Sequence, residues 1–378
     1  MKISAYHKKI GNKVTLVTDY HNLFSKYIEL PQDKEPDFKF LMYDEITKKK
    51  YIQYYKEQDI IFDKMIISKV FTDSIVPLQI KHLEICEYGG TGFFYDKADP
   101  LPEEIEHYMP DYDLYLPWVN DMISKGKKQK EFEYYLDYSI GFLTRGCFRK
   151  CDFCVNKKYD KVHLHSPIEE FLDKTKKYIC LLDDNVLGHP KWKEILNQLK
   201  STNKYFQFKQ GMDERLMTEE KAEILSSCKY RGDYIFAFDN IEDRELIESK
   251  LSIWKRYCNK TTKLYVLCGF DKNEEYDDQF WKQNIIDTFE RIKILMKYKC
   301  LPYIMRFKKY EKSPFRGTYI NLARWCNQPN FFKKKSYREF CMSHPIKSAT
   351  VKYMKEFEEK HPEIAKMYFD LKYESLIP

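Results

Sequence analysis

From residue 138 onward, short apolar runs alternate with longer amphipathic ones. The runs YSIGFLT (138–144), YICLLD (178–183), YFQFKQG (205–211), YIFAFD (234–239), LYVLCGF (264–270) and LPYIMRF (301–307) have the length and residue types of strands. Several are almost continuously apolar, as in a parallel sheet covered by helices. Between them, helix starts are signalled by Ser166-Pro167 before IEEFLDKTKK, Pro190 before KWKEILNQLK and Thr218-Glu219 before EKAEILSSCK, and a long amphipathic run extends from Asp277 to Lys299. Successive strands start roughly 25–40 residues apart, the spacing of right-handed βαβ units. The pattern predicts an α/β domain at 138–310, a six-stranded partial (β/α) parallel barrel.

Residues 1–137 have a different texture. HKKIGNKVTLVT, FDKMIISKVF and IKHLEICEYGG predict a smaller α/β layer, followed by a Pro-, Gly- and Tyr-rich linker that ends at Trp118. Residues 311–378 form a third region, basic and aromatic at first, then helical from Ser348 to Glu374. No internal repeat or low-complexity tract interrupts the chain.

Composition narrows the class. With 378 residues, 43% of them hydrophobic, the chain buries a sizeable core, which excludes a disordered protein. The 65 Lys and Arg nearly balance 58 Asp and Glu, so the net charge of +7 permits nucleic acid without demanding it. No apolar run approaches the roughly 18–20 residues needed to span a bilayer, and the first ten residues lack a secretory apolar stretch, so no membrane partner is expected. The expected location is cytoplasmic. Most of the 11 cysteines sit singly in apolar runs, as buried small hydrophobes do, whereas Cys147, Cys151 and Cys154 are clustered.

These three cysteines lie in GFLTRGCFRKCDFCVNKK (141–158), on a loop that follows a predicted strand, in the order C-x-x-x-C-x-x-C. Three thiolates can hold three irons of a [4Fe–4S] cube and leave the fourth iron open to a chelating molecule. Arg145, Arg149 and Lys150 flank the loop and would favour thiolate. Two other readings stand beside this one: a zinc site on Cys151, Cys154, His163 and His165, and chance clustering of structural cysteines.

C-x-x-x-C-x-aromatic-C after the first strand of a βα array, with Phe153 in the aromatic position, resembles the signature of the radical S-adenosylmethionine (SAM) superfamily. GFLTRGC, YGGTG (88–92) and LPEEIEHYMPDY (101–112) are similar to members with a cobalamin-binding-like N-terminal domain. The resemblance implies a Rossmann-like domain at 1–137, metal ligands Cys147, Cys151 and Cys154, and reductive cleavage of SAM to a 5′-deoxyadenosyl radical that modifies a substrate. A one-electron reductant such as flavodoxin or ferredoxin would serve it. It also implies a SAM contact at Asp183, Asp184 and Asn185 in LLDDNVL, and an adenine approach at Gly269.

Other strand ends follow the same logic, because polar residues at the carboxyl ends of parallel strands point into a barrel mouth. They are Gln210, Asp213 and Arg215 in KQGMDERL, Asp239 and Asn240 in FAFDNIED, and Arg306. For cobalamin, Asp19-Tyr20-His21 falls short of an Asp-x-His-x-x-Gly motif because Phe24 stands where glycine is required, so a degenerate domain is expected, with base-off cobalamin as the minor alternative. The segment around Arg316, Arg324, Trp325, Lys333, Lys334, Lys335 and Arg338 interleaves basic and aromatic residues, which reads either as a solvated face with its aromatics in the core or as a surface for a large anionic substrate, with nucleic acid the favoured member of that class. A zinc-stabilised binding module without catalysis and an iron–sulfur protein that does not use SAM are the competing functions.

Overall fold

Each of the six apolar runs holds a short parallel strand, and the way those strands pair departs from the expected barrel. The computed structural model describes residues 1–18, 61–70, 74, 76 and 84–373. Contacts divide the chain into two units, Met1–Asp137 and Tyr138–Pro378.

In the first unit the helix Lys2–Lys9 is tied down by Asp111, which accepts from Ser4 Oγ at 2.5 Å and pairs with Lys8 Nζ at 2.7 Å. Strands β1 (Met65–Ser68) and β2 (Cys86–Gly89) pair in parallel, from Met65 opposite Cys86 to Ser68 opposite Gly89. The segment KVTLV (13–17) forms no strand. Among the described residues this two-stranded sheet does not make a Rossmann-like domain, so that expectation is corrected. Asp19, Tyr20, His21 and Phe24 lie outside the described residues.

In the second unit, β3 (Tyr138–Gly141) leads into a short antiparallel pair, β4 (Thr144–Arg145) with β5 (His163–Leu164). β3 also pairs with β6 (Tyr178–Leu181), and β6 with β7 (Tyr205–Phe208), giving a parallel sheet of order β3-β6-β7. A second parallel sheet joins β8 (Tyr234–Ala237), β9 (Thr262–Cys268) and β10 (Leu301–Arg306), with β9 central.

Between β7 and β8 the ladder is reduced to isolated bridges, Phe206 with Tyr230 and Met212 with Phe236. A local cause is visible: the Phe208 N–H donates to the Tyr230 hydroxyl at 3.0 Å rather than to a neighbouring strand. The expected six-stranded barrel is therefore corrected. The described sheets have at most three strands and none closes.

Helices cover both sheets. Trp192–Ser201 buries Ile195, Leu196 and Leu199, and the 20-residue helix Asp278–Lys297 is capped by Asp277, whose carboxylate accepts from the Phe280 N–H at 2.7 Å. β9 alternates strictly, burying Thr262, Leu264, Val266 and Cys268, and the core also holds Trp254, Trp281 and Trp325. IEEFLDKTKK forms a single 3-10 turn, Ile168–Glu170, in place of the expected helix. Among the described residues no helix is long and apolar enough to cross a membrane.

The basic and aromatic segment folds into the helices Arg316–Cys326, Pro329–Lys334 and Tyr337–Met342. Its aromatics are interior: Trp325, Phe332 and Tyr337 are buried, and the Trp325 indole donates to the Lys335 carbonyl at 2.9 Å. Two of its arginines are engaged within the fold, Arg324 with the Thr350 hydroxyl at 2.8 Å and Arg338 with Glu358 and Asp370 at 2.8 and 2.9 Å. Rings committed to a core cannot stack on bases, so the expected nucleic-acid surface is corrected here.

Candidate functional site

The carboxyl ends of β3 and β6 are joined by an acidic pair. Asp183 is 3% exposed and accepts from the Leu143 N–H at 3.2 Å, the Thr144 N–H at 2.6 Å and the Thr144 hydroxyl at 2.7 Å. Burial outweighs these bonds and pushes its carboxyl up to about 6. Asp184 accepts from the Gly146 N–H at 2.8 Å and from Asn156 Nδ2 at 2.5 Å, so it clasps both ends of the cysteine loop. Gly146 is required at its position: its φ is +90°, and a Cβ there would lie 2.6 Å from the Lys161 carbonyl oxygen.

Asn185 completes the LLDDNVL segment from a buried position. Its amide nitrogen donates to Cys147 Sγ at 3.3 Å, while its Oδ1 is buried with no hydrogen-bond partner. Cys147 Sγ also accepts from the Arg149 N–H at 3.3 Å, and Cys154 Sγ from the Asn156 N–H at 3.4 Å. All three clustered cysteines are half-buried. Burial raises the Cys151 and Cys154 thiols above the ordinary value, with nearby Arg215 opposing the rise at Cys151.

Residues that follow β7 meet the same loop, and Asp239, after β8, lies near enough to act on Cys151. Asp213 bridges two guanidiniums, Arg149 Nε at 2.7 Å and Arg215 Nε at 2.8 Å, and Arg215 also pairs with Asp243 at 3.1 Å. Asp239 accepts from the Leu267 N–H at 3.1 Å, and burial raises its carboxyl against the pull of Arg291. Phe153 packs edge-on against Phe270, centroids 5.6 Å apart, and Phe270 against Phe307 at 4.9 Å. The loop after β3 thus reaches residues that follow β6, β7 and β9.

The other expected residues lie nearer solvent or backbone. Gln210 and Asn240 are exposed. Arg306 is exposed at the end of β10 and donates to the Tyr310 hydroxyl at 3.0 Å. Gly269, with φ +73°, is buried and donates to Asn284 Oδ1 at 2.8 Å, and a Cβ there would approach Tyr310 Cβ to 3.1 Å.

Sequence reasoning missed two groups. Glu214 is fully buried with neither carboxylate oxygen hydrogen-bonded, and burial raises its carboxyl well above the usual range. Arg291, 2% exposed, donates to the carbonyls of Phe238 at 3.2 Å, Asp239 at 2.5 Å and Leu267 at 2.9 Å, binding the β8 and β9 ends together. Glu214 adjoins a named candidate, Asp213, and Arg291 is a charged residue inside an apolar helical run. Neither signal reveals burial before the fold is known.

Among the described residues no group of three or more His, Cys, Asp or Glu side chains is arranged to hold a metal ion. This overturns the [4Fe–4S] cluster on Cys147, Cys151 and Cys154, and equally the zinc alternative, whose His163 instead lies tilted against Tyr159, centroids 6.4 Å apart, and whose His165 bonds Ser166 Oγ at 2.9 Å. The sulfurs of Cys147 and Cys154 accept hydrogen bonds from protein N–H groups, and burial disfavours the thiolate that metal binding needs at Cys151 and Cys154. The resemblance to radical SAM proteins is corrected with it, as are the enzyme class, SAM as cofactor and partner, and the flavodoxin or ferredoxin reductant. Cobalamin is withdrawn too, since no Rossmann-like domain is formed among the described residues. Comparison with known proteins finds no matching family model and no matching curated protein.

Proposed function

We propose that residues 138–306 form a binding domain for a small polar molecule seated at the carboxyl ends of their strands, which meets Asn185 through an N–H or ammonium donor. The observation that carries this reading is the Asn185 Oδ1: an acceptor buried beside the cysteine loop with no partner in the protein. Leaving such an atom unpaired costs about 1–3 kcal/mol, so a ligand that supplies the donor recovers it. Asp183 and Asp184 act as scaffold, since their oxygens already hold the loop. Asp213, Arg149, Arg215 and Asp239 give the wall both signs of charge, while Gln210, Asn240 and Arg306 form its exposed rim and Phe153 and Gly269 shape its apolar side. A reducing setting such as the cytoplasm fits 11 cysteines, none of them in a disulfide.

A thermal-shift screen with amino acids, small amines and nucleosides tests the reading. At least one compound should raise the melting temperature of the wild-type protein. Asn185→Leu, which removes the acceptor, should weaken that compound's binding about tenfold to a hundredfold without lowering the melting temperature of the free protein. No shift with any compound, or an unchanged shift in Asn185→Leu, would overturn the proposal.

A further inference from the structure

Cys151 and Cys154 occupy the two ends of a tight turn. The Cys154 N–H donates to the Cys151 carbonyl at 2.9 Å, and Asp152 and Phe153 are the turn's central residues. A turn closed by that bond keeps its end Cα atoms within about 7 Å. Disulfides span about 4.4–6.8 Å between Cα atoms. Both cysteines are half-buried, whereas Cys180, Cys228, Cys258, Cys268, Cys300, Cys326 and Cys341 are buried in the core.

We propose that Cys151 and Cys154 are a thiol–disulfide switch, closed by exchange with a low-molecular-weight disulfide such as oxidised glutathione. One cysteine, as thiolate, attacks a glutathione sulfur, forming a mixed disulfide and expelling one glutathione thiolate. The second cysteine, also as thiolate, attacks the protein sulfur of that mixed disulfide and expels the other. Two protein thiols become one disulfide, glutathione disulfide becomes two thiols, and the two protons released by the cysteines pass to the departing glutathiones.

Closing this ring fixes Phe153, whose ring rests on Phe270. It also acts on the Cys154–Asn156 contact, and Asn156 holds Asp184. The redox state of the turn therefore bears on the same loop that Asp184 clasps, independently of what the domain binds.

The test is peptide mapping of the full chain equilibrated anaerobically in glutathione buffers of graded oxidation, then alkylated under denaturing conditions. The peptide CDFCVNK (151–157), which contains both cysteines, should pass from doubly alkylated to an unalkylated form two hydrogens lighter than the free dithiol peptide as the buffer becomes more oxidising. The same transition should persist in Cys147→Ser. Double alkylation at every ratio, a stable glutathione adduct in place of the ring, or loss of the transition in Cys147→Ser would each overturn the proposal.

Discussion

Asp183 shows how a single side chain can be well bonded and still strained in its charge. Three donors favour its carboxylate, but removal from water wins and lifts the carboxyl from 3.8 to about 6. A carboxyl raised on folding binds its proton more tightly in the native state than in the unfolded chain, so stability is lost as pH rises between those values. Over that interval the loss amounts to about 3 kcal/mol. Asp183→Asn does not titrate. Urea midpoints should therefore show the wild-type protein losing ground to the variant from about pH 4 to pH 7. A wild-type-to-variant difference that does not change with pH would refute the assignment. Asp183 was legible as an acidic residue at a strand end, but its burial and partners were not, because they come from a turn about forty residues away.

At the scale of elements, close packing decides more than propensity does. Gly317 lies where the helix Arg316–Cys326 meets Ala349–Lys360, and a Cβ on it would fall 2.0 Å from the Tyr353 ring. Gly317→Ala should cost about 1–3 kcal/mol through overpacking, read as a lower denaturant midpoint. Tyr353 is 38% exposed, so its truncation is cheaper, and the double variant Gly317→Ala with Tyr353→Ala should recover part of the loss. Simple additivity would mean that the two residues do not share this contact. The segment IEEFLDKTKK carries a related lesson: it has a helical pattern and becomes turns. Phe171 covers Gly141, where a Cβ would lie 2.3 Å from the ring, and the Asp173 N–H donates to Ser139 Oγ at 3.0 Å. These tertiary contacts override a weak local preference.

For the whole molecule, the division at Asp137 has a testable consequence. The second unit contains two parallel sheets, the helices that cover them and a core running from Leu143 to Phe369. Residues 138–378 expressed alone should unfold in one cooperative thermal transition seen by circular dichroism. A broad, non-cooperative melt would show that this unit needs residues 1–137 to fold.

The order of apolar and amphipathic runs by itself determined where the six strands of the second unit lie, because strand length and hydrophobic pattern are local properties. It also determined that the loop after the first of these strands would carry three cysteines. Only the tertiary structure decided how the strands pair, since a side-chain hydroxyl, that of Tyr230, takes the Phe208 N–H that a continuous ladder would have used. It likewise decided what the cysteines do. Spacing can bring thiols onto one loop, but hydrogen bonds from Asn185, Arg149 and Asn156 and the cost of burying charge determine whether they meet as metal ligands, and these belong to residues that come together only on folding.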